Sequence, residues 1–317
     1  MANQVFLEKA NRVEELVNYL YEEIPEFSSR YFLKGDTAIN LLYEQKPRLS
    51  LDGDFNYSIP CSKDAMLKDR EISNQLLIKI FSDCGYSVTK GRSNFGQDSF
   101  DLVYTTVKES IEKIKIELNY ILRVPVDGHT VLPDTKIRTV GLYELFGAKL
   151  AALATRAKAR DLFDLYYLIT SNFISKLSMT KLKNCFIFYW ALQKTEDDTP
   201  SFNNAYNISY MSYNSELIPC FLDEGIKPKL EEMCEILKFA EKQFLRLSDE
   251  QLQFIQGFRN NRNLTHLLFD KTIHHPQLAS MDLTTKNNLR ESDLFAEVDM
   301  GLSPLEKKHL REENPEQ

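Results

Sequence analysis

Two aspartates at alternate positions, Asp52 and Asp54, stand a short way downstream of the stretch Lys34-Gly-Asp-Thr37. If their segment is extended, the side-chain period of two puts Ser50, Asp52, Asp54 and Asn56 on one face and Leu49, Leu51, Phe55 and Tyr57 on the other. Neighbouring carboxylates repel each other unless a cation lies between them. Magnesium takes such hard oxygen ligands and completes its shell with water and substrate phosphates. Gly35 offers a backbone that a phosphate can approach closely, and Thr37 opens a short helical run, Ala38–Tyr43, whose N-terminal N–H groups suit an anion. Pro47 stops that run. Together these pieces describe a metal-dependent nucleotide site. The same segment permits another reading, because Asp52-Gly53 between alternating residues is also a two-residue hairpin signal, with Asp52 in the turn. Taken alone, the segment does not decide between them.

A third carboxylate comes from Lys113–Tyr120. There Ile114, Ile116, Leu118 and Tyr120 alternate with Lys113, Lys115, Glu117 and Asn119. Should this strand lie beside that of Asp52 and Asp54, Glu117 would complete a two-metal site. A strand with one wet face carries charge at every second place in any case. Further on, Leu142, Leu145, Phe146, Lys149, Leu150 and Leu153 have helical spacing, and the basic cluster Arg156, Lys158, Arg160 runs into Asp161 and a helix over Leu162–Ile169. Lys149, Arg156 and Arg160 could direct positive charge at a triphosphate or an RNA backbone. The alternative is an Arg160–Asp164 helix pair, worth a few tenths of a kcal/mol (~0.3), with the rest solvated.

The elements that must position these residues read as an α+β protein: a small mixed β-sheet flanked by helices over 1–170, a mostly helical domain over 171–300 and a tail over 301–317. Residues 5–21 have helical apolar spacing, as do Ala65–Cys84, Lys181–Leu192, Leu230–Leu247 and Ser248–Phe258, the last with a capping-box start. Short strands are expected at Tyr86–Lys90, ended by Gly91, and at Ser99–Thr106. Val124–Val140 reads as loop or edge strand. The 317 residues suffice for a sizeable core, and 43% hydrophobic with 27% charged content is ordinary for a globular chain. No apolar run is long enough for a membrane span and no signal peptide opens the chain, so a cytoplasmic location is expected. Five cysteines in no zinc-like spacing read as reduced thiols, and His274-His275 as a loop pair. A net charge of −7 argues against a protein coated in nucleic acid but leaves room for a local basic site.

The wording Leu33-Lys-Gly-Asp-Thr-Ala-Ile-Asn-Leu-Leu42 followed by Pro47-Arg-Leu-Ser-Leu-Asp-Gly-Asp-Phe-Asn-Tyr57 resembles the AbiEii/AbiGii nucleotidyltransferase toxins, within the DNA polymerase beta-like superfamily. Ile114–Asn119, Lys149–Arg156 and Arg160–Leu165 continue the resemblance in order, and Leu267-Leu-Phe and His275-Pro276 add a weaker likeness. It implies a nucleotidyltransferase core with a helical C-terminal part, Mg2+ as cofactor and an NTP as substrate. It also implies an RNA acceptor, with the tRNA 3′ end known for relatives, and a cognate antitoxin as protein partner. On the same ground Asp52, Asp54 and Glu117 would bind metal, Gly35 and Thr37 would hold phosphate with Arg156 and Arg160, and Lys149 and Asp161 would belong to the catalytic set.

Two positions depart from the family's wording. Asp36 stands where a second glycine is preferred. Aimed at a triphosphate it would cost about 1 kcal/mol at about 4 Å in water and about 4 at an effective dielectric of about 20, whereas as an N-cap for the Thr37 helix it would help. Gly53 replaces a bulky apolar residue, a change of packing or flexibility. These departures motivate a second expectation, a non-catalytic member of the family that binds nucleotide or a partner.

Overall fold

The computed structural model describes residues 4–269 except 44, 60, 62, 95, 122–123, 172, 194–196, 223–226 and 261. His274-His275, the likeness at His275-Pro276, the stretch 270–300 and the tail 301–317 lie outside the described residues. Helix α1 (Gln4–Glu23) buries Val13, Leu16, Val17, Leu20 and Tyr21, the stripe that its sequence spacing predicts. The short α2 (Pro25–Ser28) leads into β1 (Tyr31–Lys34), α3 (Gly35–Leu41) and β2 (Asp52–Tyr57). Helix α4 (Lys63–Asp83) then precedes β3 (Ser87–Asn94), β4 (Gln97–Thr105) and β5 (Ile111–Asn119).

Gly91 does not end β3. The strand runs on to Asn94 through a register shift between Lys90 and Ser93, and a Cβ at Gly91 would stand 2.7 Å from Ser99 Oγ. The glycine thus marks a bulge where a neighbour approaches closely. The segment read as loop or edge strand contributes two short strands, β6 (His129–Val131) and β7 (Arg138–Val140), and β7 pairs parallel with β1.

One seven-stranded sheet results, in the order β3-β4-β5-β2-β1-β7-β6. It is mixed: β2–β5 and β1–β7 are parallel and the other neighbours antiparallel. The class is α+β, as expected. The parallel β2–β5 pair positions the candidate site, because it brings together segments far apart in sequence. Phe100, Leu102, Ile114, Ile116 and Leu118 are fully buried on one face of β4 and β5, and the intervening residues line the wetter face.

Helices α5 (Leu142–Thr155), α6 (Ala159–Thr170) and α7 (Met179–Leu192) follow the sheet. A Cβ at Gly147 of α5 would stand 2.6 Å from Cys185 Cβ of α7, so the glycine permits that close helix contact. Beyond them, Leu230–Phe244 and Asp249–Arg259 are helical. Ser248 and Gln251 form the predicted capping box: Ser248 N–H donates to Gln251 Oε1 at 3.0 Å and Gln251 N–H to Ser248 Oγ at 3.3 Å. Most buried apolar side chains from Val13 to Leu268 make one continuous cluster, and Leu49, Leu51 and Cys220 form a small second one. All five cysteines are free thiols.

Candidate active site

Asp52 and Asp54 lie in a strand, so the hairpin reading of Asp52-Gly53 is excluded. Asp54 is the register partner of Lys34 on one side and of Glu117 on the other, and Asp52 that of Lys115. Residues directly opposite in adjacent strands share a face, so Lys34, Asp52, Asp54, Lys115 and Glu117 gather on one side of the sheet. Gly53 points to the other face. A Cβ there would stand 2.7 Å from Ile116 Cδ1 and 3.1 Å from Phe55, whose side chains fill the space that a bulky residue would take.

Gly35 is required on two counts. Its φ is +71°, in the left-handed region, and a Cβ would stand 2.5 Å from Asp54 Oδ2. The loop backbone therefore rests against the Asp54 carboxyl. Thr37 is buried, and its hydroxyl donates to the Asp52 carbonyl at 2.7 Å while lying 2.7 Å from Ser50 Oγ. In this arrangement the hydroxyl that the sequence assigns to phosphate holds the start of β2.

Burial drives the Asp54 carboxyl up to about 7; Lys34 opposes the shift, and the charges of Glu117, Asp36 and Asp52 add to it. Glu117 goes the other way. Burial would raise it, but Lys115, which pairs with it directly, holds it below its ordinary value, helped by a hydrogen bond with Asp54. Gln97 Nε2 donates to Glu117 Oε1 at 2.8 Å. Two crowded carboxyls whose affinities for a proton are driven apart in this way resist carrying two full negative charges together. On the same face of β2 the buried Asn56 Oδ1 has no hydrogen-bond partner among the described residues. Asp54 and Glu117, in register, offer hard oxygen ligands of the kind a divalent cation with water in its shell takes, but Asp52, Asp54 and Glu117 do not form a group of three whose oxygens all lie within 4.8 Å of one another.

A second cluster joins α3, α5 and α6. Oxygens of Asp36, Asp161 and Asp164 lie within 4.8 Å of one another, a spacing that would suit a metal. The position is filled by Lys149. Its ammonium is 2.9 Å from Asp161 and 2.8 Å from Asp164, and it also pairs with Asp36. Arg48, 1% exposed, grips Asp164 with two hydrogen bonds of 2.8 and 2.9 Å and reaches Asp36 at 2.8 Å. Arg156 forms a two-pronged pair with Asp161 at 2.9 Å, and Arg160 stands 3.8 Å from Asp36. Burial works against the charges of Asp36 and Asp161, yet Arg48 and Lys149 hold Asp36 well below its ordinary value, and Lys149 with Arg156 holds Asp161 at about 2.

This corrects three expectations. Asp36 is neither an N-cap nor aimed at phosphate, because the N-cap residue is Lys34 and the Asp36 carboxylate is held by α5, α6 and Arg48. Arg160 does not pair with Asp164, which Arg48 and Lys149 occupy. The charges of Lys149, Arg156 and Arg160 are directed first at carboxylates of the protein, although Arg156 keeps half of its side chain exposed. Asp161 also accepts the Lys158 N–H at 3.3 Å at the start of α6. Sequence reasoning missed Arg48. Its available signal was an arginine entering the alternation of β2 at a position on which both chain neighbours, Pro47 and Leu49, are apolar. Lys34 and Gln97 were missed as well.

The profile of the family described as nucleotidyl transferase AbiEii toxin, type IV toxin–antitoxin system, matches residues 18–255. Among solved structures, JHP933 from Helicobacter pylori aligns with a TM-score of 0.50 at 17% identity, covering 82% of this chain and 100% of the other. At that identity the likeness is one of fold. MenT4, a nucleotidyltransferase toxin from Mycobacterium tuberculosis H37Rv, aligns with a TM-score of 0.44 at 15% identity, covering 92% of each chain. A search of curated proteins finds no match. Among the described residues no helix is long and apolar enough to cross a membrane.

Proposed function

Because this chain belongs to the AbiEii family of nucleotidyl transferase toxins, we propose that it moves a nucleotide from an NTP to a nucleic-acid acceptor, the 3′ end of a tRNA, in a Mg2+-dependent reaction that halts growth until a cognate antitoxin intervenes. The observation that carries this is the meeting of three separate pieces of backbone: Asp54 and Glu117 in register on adjacent parallel strands, with Gly35 against the Asp54 carboxyl. In the reaction an acceptor hydroxyl oxygen bonds to the α-phosphorus, the bond from that phosphorus to the β-phosphate bridging oxygen breaks, and pyrophosphate leaves. The hydroxyl proton passes to a carboxylate or to water.

Asp52, Asp54 and Glu117 would hold the metal, which supplies charge neutralisation at the α-phosphoryl and at the attacking and leaving oxygens. Lys115 and Gln97 fix the Glu117 carboxylate. Thr37 fixes the start of β2 through the Asp52 carbonyl, and Gly35 lets the loop backbone lie directly against the Asp54 carboxyl, where a phosphate would be held by main-chain N–H groups. Lys149 and Asp161 act by anchoring α3 through Asp36, while the exposed sides of Arg156 and Arg160 face the phosphates or the RNA backbone. Residues 1–170 carry this chemistry, with the helical part from 171 onward as its support.

Both departures from the family wording are consistent with activity, since Asp36 is neutralised within the protein and Gly53 faces the apolar side. The test is incubation of the purified chain with each labelled NTP, Mg2+ and total RNA. Label should enter RNA of tRNA size, and Asp54→Ala should abolish it. No incorporation from any of the NTPs, with NTP binding that survives loss of both Asp52 and Asp54, would establish the non-catalytic alternative instead.

A further inference from the structure

Three candidates stand outside the roles already given: the Arg70–Asp98 network under β3 and β4, the exposed apolar residues Tyr210, Met211 and Phe239, and Lys34. The first is saturated, as Asp98 accepts from Arg70, Asn74 and Ser93. The second has no identifiable occupant. Lys34 has both a place and an unspent charge. It is half-buried at the end of β1, shares a face with Asp54 as its register partner, and immediately precedes Gly35.

The buried cations around the Gly35 loop, Lys149 and Arg48, are committed, and Arg156 and Arg160 bring only their exposed sides to a ligand. Lys149 is paired with three carboxylates, Arg48 with two, Arg156 with Asp161 and Arg160 with Asp36. Turning Lys149 or Arg48 toward a ligand would leave buried carboxylates unpaired, which is strongly unfavourable. Lys34 has no ion-pair partner among the described residues, and an ammonium on a flexible stem is a point charge that can follow a phosphate. It also immediately precedes Gly35, whose backbone rests against the Asp54 carboxyl.

We propose that Lys34 is the residue that binds the β- and γ-phosphates of the incoming nucleotide, and so distinguishes a triphosphate from a monophosphate. The proposal rests on the nucleotidyltransferase reading and names a ligand contact at that site. Before the nucleotide binds, the same ammonium offsets part of the negative charge on Asp54. On binding, it moves to the phosphates that leave as pyrophosphate.

The experiment is equilibrium binding of each NTP, of the corresponding NMP and of inorganic tripolyphosphate to the full chain at fixed Mg2+, for the parent, Lys34→Met and Lys34→Arg. NTP and tripolyphosphate binding should weaken about 10- to 100-fold in Lys34→Met, with NMP binding unchanged and Lys34→Arg in between. Melting curves check the fold, and Lys34→Gln replaces Lys34→Met should the latter melt differently. Unchanged NTP binding would overturn the proposal and leave Lys34 as a counter-charge to Asp54. Equal weakening of NTP and NMP would also overturn it, by placing Lys34 at the metal or the α-phosphate. A parent that binds NTP through Lys34 yet labels no RNA would refute the transferase reading alone, while a parent that binds no NTP would refute both.

Discussion

Among the described residues two groups of three buried or half-buried carboxylates stand out, and residues adjacent in sequence touch one each: Gly35 lies against Asp54, and Asp36 pairs with Lys149. In the Asp36, Asp161 and Asp164 group, four cations, Arg48, Lys149, Arg156 and Arg160, answer three carboxylates within the protein. In the Asp52, Asp54 and Glu117 group only Lys115 makes a direct pair among the described residues, and one carboxyl takes up a proton instead. Identical chemistry thus serves two ends. Internal cations turn carboxylates into a brace, and their shortage leaves a carboxyl that a proton or a cationic ligand can neutralise.

The sharpest way to break this comparison is at Asp54. Asp54→Asn should reduce transfer at least about 10^3-fold, since a neutral amide is a poor ligand for a hard cation. The same change should leave the melting temperature unchanged or raise it at pH 8, where the parent must ionise a carboxyl that burial pushes up to about 7. A clear loss of stability at that pH would show that Asp54 belongs to a brace after all.

Arg48 should behave in the opposite way. Removing its guanidinium in Arg48→Met leaves Asp164 and Asp36 short of a buried partner, for an expected loss of roughly 3–5 kcal/mol and a melting temperature lower by roughly 10 °C. A double-mutant cycle with Asp164→Asn measures the coupling. Strict additivity would refute the brace.

Gly35→Ala connects the two groups. The new methyl meets Asp54 Oδ2 and the backbone conformation disfavours it, so a stability loss of about 1–3 kcal/mol should accompany a disproportionate fall in transfer. Wild-type kinetics in a folded Gly35→Ala protein would separate the loop from the carboxylates.

The smallest effect sharpens the comparison with a buried carboxyl outside both groups, Glu144, which makes no ion pair among the described residues. Glu144 is buried at 1% exposure, accepts the N–H groups of Val126 and Asp127 at 2.8 and 3.2 Å, and is hydrogen-bonded by the Tyr189 hydroxyl. Burial pushes its carboxyl from 4.5 to about 7. The folded form therefore retains a proton that the unfolded chain has released, and stability falls as pH rises from about 4.5 toward about 7. Glu144→Gln, which can keep these contacts, should remove that slope in urea titrations across this window. An unchanged slope would assign it elsewhere.

Local pattern made much of this legible in advance. The alternation in Lys113–Tyr120 put Glu117 on the polar face, the spacing in α1 marked its buried stripe, and the glycine before Thr37 marked the loop. Where the pattern was ambiguous, at Asp52-Gly53 and at Gly91, the deciding contacts were Ile116 and Ser99, both across the sheet. Such contacts leave no periodic trace in the strand that receives them.

The sequence by itself determined which side chains share a face of each strand or helix, because that follows from backbone periods of two and of about 3.6 residues. It determined the family too, through four motifs in order. Only the tertiary structure decided that Glu117 stands beside Asp54, that Lys149 fills the Asp36 cluster, and that Arg48 reaches Asp164 across a separation of 116 residues. Charge partners at that distance are chosen by which faces pack together and by the cost of leaving a buried charge alone, and neither is written in local spacing.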